Sequence, residues 1–151
     1  MKSRLLLLAG LVLGLPELSS GGSPAADTRM PEVQSYQVID VTPFNQEVAA
    51  AAKAGASWPH QALEVVLRRT EIKDELPRHF VLTMECDEIE NPRLLKVTTL
   101  AEGLRDDSIS GEWIHLELEK SPEETWRVTQ EHRSWRCVRG PHVGTYEKTC
   151  P

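Results

Sequence analysis

The residues best suited to chemistry gather near the end of the chain. Trp135, Arg136, Arg139 and His142 fall on and around a short loop bracketed by Cys137 and Cys150. Guanidinium forks pair with carboxylate or phosphate, and an indole offers a face for stacking. Together they read as a binding site for an anionic or sugar-like ligand. The plainer alternative has Trp135 plugging the core while the arginines guard a strand edge. A second constellation lies upstream, where His115 and His132 can meet across adjacent strands beside Glu117 as an acid-base or metal cluster. Its alternative is a pair of solvated strand histidines. His60, His79, His115, His132 and His142 show no H-x-x-x-H spacing, and no C-x-x-C, glycine-rich phosphate cradle or G-x-S-x-G elbow occurs. No catalytic residue, metal or cofactor is assigned. Asp106-Asp107-Ser108 and Asp87-Glu88-Ile89-Glu90 read as solvated acidic turns.

These residues need elements to hold them. Thr42-Pro43 is a helix start, Thr as cap and Pro in the first turn, and Phe44, Val48, Ala51 and Ala52 recur at helical spacing up to Gly55. One helix over 43–54 is predicted, with its alanine run close against a sheet. Five strands follow, at 61–70, 79–86, 94–100, 112–119 and 125–138, separated by segments poor in strand formers. Short links favour antiparallel pairing. In the fourth strand Ile114, Leu116 and Leu118 point one way and Trp113, His115, Glu117 and Glu119 the other. The predicted fold class is α+β, with one N-terminal helix packed on a curved antiparallel sheet of four to five strands. That is a cystatin-like or NTF2-like roll, with a small barrel as the alternative.

The chain has 151 residues, 40% hydrophobic and 26% charged, which suits one folded domain. Lys2 and Arg4 precede an apolar run, Leu5 to Leu15, that is too short to span a bilayer. Residues 1–25 therefore read as a cleavable signal peptide, 26–35 as a flexible lead-in and 36–151 as the domain. No stable membrane span is expected after cleavage. Net charge is -6, which argues against nucleic acid as a partner. The charge is polarised, with the segment from Trp126 onward about +3 and the chain before it about -9. Export permits a disulfide. Cys137 and Cys150 bracket a loop containing Gly140, Pro141 and Gly144 that can bring them together, which leaves Cys86 over. Cys86 shares a strand face with Phe80, Leu82 and Met84, so it is expected as a small buried apolar side chain.

The segment from Trp135 to Cys150 resembles the C-terminus of a family of small secreted bacterial proteins of unknown function, which end in a pattern like W-[RK]-C-x-x-G-R-G-H-x-x-[FW]-x(4)-C. Trp135, Arg136, Cys137, Gly140, His142, Tyr146 and Cys150 take the matching places. The stretches Leu104 to Ile109 and Trp126 to Val128 are similar to that family's "DDSV" and "dGxWR" segments, so the likeness covers roughly the last third of the chain. It departs at Gly140-Pro141-His142, one residue shorter than G-R-G-H and without the arginine. The resemblance implies export and a terminal disulfide, and it implies no activity.

The function expected from these residues is that of a small exported module, periplasmic or secreted and non-catalytic, that binds an envelope protein or an anionic or sugar-like ligand. The alternative is a small enzyme with His115 or His132 as acid-base residue in a sheet cavity of at least ~300 Å³.

Overall fold

The computed structural model describes residues 30–71, 77–141 and 143–151. The expected signal peptide at 1–25, the start of the lead-in and His142 lie outside them. The elements are β1 (Gln37–Val38), α1 (Thr42–Lys53), a 3-10 turn (Trp58–His60), α2 (Ala62–Arg69), β2 (His79–Cys86), β3 (Leu94–Glu102), β4 (Ile109–Lys120), β5 (Trp126–Cys137) and β6 (Tyr146–Glu147). The strands form one antiparallel sheet in the order β1-β5-β4-β3-β2, and β6 joins β5 beside β1. Among the described residues the sheet does not close on itself, so the barrel alternative is not realised. Nor is any described helix long and apolar enough to cross a membrane.

Four of the five expected long strands are present. The fifth, 61–70, is α2. Ala62, Val65, Val66 and Arg69 stand at i, i+3, i+4 and i+7, the spacing of one helical face, and this outweighs the strand propensity of the β-branched Val65-Val66 pair. Glu64 in the first turn and Arg68 and Arg69 in the last turn suit the helix dipole. At the other end Thr70 closes the helix, its hydroxyl donating to the Val66 carbonyl at 2.9 Å. The layer on the sheet therefore holds two helices where one was expected.

The α1 helix starts one residue earlier than predicted, and Thr42 is not its cap. Val41 occupies that position without a side-chain bond, and Asp40 Oδ1 instead accepts from the Thr42 N–H at 2.9 Å, which lowers the Asp40 pKa. Gly55, at φ +79, ends the helix in the left-handed region as expected. The alanine run is not what meets the sheet. Phe44 and Val48 are buried while Ala49 and Ala50 face outward. Asn45 adds a polar clamp, giving a hydrogen bond to the Val128 carbonyl at 2.8 Å and taking one from the Val128 N–H at 3.0 Å.

The core lies between the helices and one face of the sheet. Phe44, Val48, Val65 and Val66 pack on Leu95, Val97, Ile114, Leu116, Leu118, Trp126 and Val128. The alternation expected in β4 holds, since Ile114, Leu116 and Leu118 are buried there. The two acidic turns do more than meet solvent. Asp87 Oδ1 accepts from the N–H groups of Arg93 and Leu94, and Asp106 Oδ1 from those of Ser108 and Ile109, so each carboxylate fixes the entry to the next strand.

The segment before β1 is tied to the C-terminal segment. Val33 bridges to Tyr146, Ser134 Oγ donates to the Ser35 carbonyl at 2.7 Å, and Ser35 Oγ donates to Glu147 at 2.6 Å. Val33 and Ser35 are therefore held against β5 and β6. Cys137 and Cys150 form the expected disulfide, with Cα atoms 5.4 Å apart. Cys86 is exposed rather than buried. Phe80 and Leu82 are half-buried, whereas Met84 and Cys86, on the edge strand outside the buried Val97 and Leu95 of β3, are exposed. Replacing both Cys137 and Cys150 by Ser is expected to lower the unfolding free energy by about 3 kcal/mol. Urea denaturation measures the loss, and amide exchange should rise first in β6.

Candidate functional site

The decisive local feature is in β5. Glu117 pairs with Gln130, but Leu118 pairs with Val128, so Thr129 is an extra residue opposite β4. Strand side chains alternate, and one extra residue exchanges the faces beyond it. Trp126 and Val128 point to the core, and after the bulge Glu131, Arg133 and Trp135 take that face. His132 and Arg136 turn to the outer one.

On the outer face the bulge creates a row of rings. His115 and His132 are direct cross-strand partners, with ring centroids 6.2 Å apart and planes within 26°. Trp113 lies parallel to His115 at 5.9 Å, and Tyr36 stacks on His132 at 4.2 Å. These separations fit aromatic pairing. Thr98 Oγ1 shares a hydrogen bond with His115 Nδ1 at 3.0 Å. Partial burial lowers the His115 pKa; Glu117 opposes the shift, and the neighbouring His132 and Lys96 add to it. Neutral imidazole is the favoured form. Both helices pack on the opposite face, so the row Trp113–His115–His132–Tyr36 meets solvent, and Tyr36 remains 49% exposed.

A polar group continues the outer face. Arg136 donates to Glu102 Oε1 at 2.9 Å, the Tyr146 hydroxyl donates to the same oxygen at 3.3 Å, and His79 lies 3.7 Å from that carboxylate. Burial raises the Tyr146 pKa, and Glu102 reinforces the shift. Gly111 makes room for this arrangement, because a Cβ there would stand 2.8 Å from the Tyr146 hydroxyl.

The inner face holds a buried charge network that the sequence did not announce. Glu131 is fully buried and is clamped by Arg69 from α2 and by Arg133 from its own strand. Arg133 also reaches Glu112 at 3.4 Å and donates to the Arg69 carbonyl at 3.1 Å. Burial raises the Glu112 pKa, against the pull of Arg133 and of a hydrogen bond from Trp135.

The four residues expected to bind do not converge. Trp135 faces inward opposite Glu112, Arg136 faces outward on Glu102, Arg139 is exposed beyond β5, and His142 lies outside the described residues. His115 and His132 do meet across the β4–β5 pair, as expected. A groove of about 240 Å³ is lined by Glu85, Cys86, Asp87, Leu94 and Lys96, and another of about 220 Å³ by Pro43, Phe44, Glu47, Arg68, Arg69 and Glu71. Neither reaches an imidazole. The β4 alternation had already placed Trp113 and His115 outward. Nothing in the composition marked Thr129 as a bulge, so the inward turn of Glu131 was missed. No protein family, curated protein or solved structure matches the chain.

Two outcomes are expected. Glu131→Ala leaves two guanidinium groups without their carboxylate and should cost about 3–5 kcal/mol, while Glu119→Ala at the exposed Arg127 pair should cost no more than about 1 kcal/mol; urea denaturation of both compares them. In NMR titration the His115 imidazole should protonate below 6.5. Its contribution to stability is then present above the unfolded-state pKa and lost as pH falls from there through the lower folded value.

Proposed function

We propose that this protein is a small exported binding module, non-catalytic, which uses the solvent-facing side of its sheet to hold a ring-bearing, sugar-like ligand. The observation carrying this reading is the row of Trp113, His115, His132 and Tyr36 on a hydrogen-bonded sheet. Flat rings stack on sugar rings, and the nearby Thr98, Glu117 and Arg136 supply donors and acceptors for hydroxyl groups. Fixing aromatic side chains on strands lowers the entropy cost of binding. Export is supported by the Cys137–Cys150 bond, by the apolar N-terminal run after Lys2 and Arg4, and by the resemblance to secreted bacterial proteins in the last third of the chain. Two helices against one face of an antiparallel sheet support a cystatin-like or NTF2-like roll as the finer fold assignment.

The test is a titration of the exported chain with neutral and anionic oligosaccharides, followed by tryptophan fluorescence and amide shifts. Shifts should cluster at Trp113, His115, His132 and Tyr36, and Trp113→Ala should weaken binding about tenfold without unfolding the domain. Shifts confined to other surfaces, or none with any sugar, would overturn the assignment of this face.

A further inference from the structure

One edge of the sheet is closed from within the chain, because β1 and β6 both line β5. The other edge is β2, which among the described residues pairs with β3 alone. Its eight residues run against β3 in unbroken register from His79↔Glu102 to Cys86↔Leu95. Natural edge strands carry proline, lysine or a bulge to block pairing with a second chain. His79-Phe80-Val81-Leu82-Thr83-Met84-Glu85-Cys86 carries none of these, and Met84 is 41% exposed.

We propose that β2 is a docking edge for a second copy of this chain, joined antiparallel about Leu82. The sequence of β2 is self-complementary in that register. Inward-facing Phe80, Leu82 and Met84 meet the partner's Met84, the partner's Leu82 and the partner's Phe80. On the outer face His79 meets the partner's Glu85, and Val81 meets the partner's Thr83. The acid-imidazole contact occurs twice by symmetry, and every apolar residue faces an apolar one or a threonine methyl. Moving the axis by one residue spoils the match. About Thr83 it sets Val81 against Glu85, and about Val81 it sets Met84 against Arg78. Each protomer's free Cys86 then lies eight positions along the strand from the other, about 27 Å away, so the thiols cannot link the two chains.

Sedimentation equilibrium of the exported chain tests this directly. A concentration-dependent monomer–dimer equilibrium is expected, unchanged by Cys86→Ser. His79→Glu sets carboxylates opposite Glu85 twice and should weaken the dimer about tenfold, and the double variant H79E/E85K should restore it. Near-UV circular dichroism checks that each variant is folded. Oxidising L82C/C86S should give a covalent dimer on a non-reducing gel, whereas oxidising T83C/C86S should not. A monomer at every concentration, a dimer lost with Cys86→Ser, or a dimer indifferent to the charge exchange would overturn the proposal. None of these results depends on whether the outer face binds a sugar.

Discussion

The extra residue at Thr129 governs how the two faces of this protein differ. Before it, β5 sends Trp126 and Val128 into the core; after it, the odd-numbered residues take their place. Without the bulge, the strand's alternation would bury His132 and expose Glu131 and Arg133. Asn45 reinforces the kink from the helix layer, satisfying both backbone groups of Val128 next to the extra residue. The helix that covers the core thus also fixes the strand's change of face.

Two consequences follow on opposite sides. Outside, His132 comes opposite His115 and extends a row that begins at Trp113 and ends at Tyr36. Inside, Glu131 enters a region with little water, and it is tolerated because Arg69 and Arg133 surround it. Arg69 can reach only because α2 is a helix. On the helical face it follows Val65 by four residues, so the turn that buries Val65 also aims the guanidinium at β5. Hydrophobic burial and the ion network are therefore tied to one helix.

Much of this was legible in the sequence, for identifiable reasons. Helix α1 announced itself through Pro43, the Phe44–Val48 spacing and Gly55, and four long strands through their strand-forming runs between turn residues. The disulfide could be read from loop length and glycine content. Where reading failed, tertiary context had decided. Val65-Val66 carries strand propensity, but eight residues with one apolar stripe bury more as a helix on the sheet. Cys86 looked buried because the strand alternates, yet it ends an edge strand and is exposed. The binding residues expected around Trp135 were grouped by nearness in sequence, and adjacent residues of a strand point apart. Trp135 and Arg136 divide between the two faces for that reason.

The placement of the two histidines is the measurement on which this account depends most. Proton nuclear Overhauser contacts from the His132 ring should run to His115 and Tyr36. Contacts from His132 to Leu116 or to α2 would mean that β5 continues without the extra residue, and would contradict it.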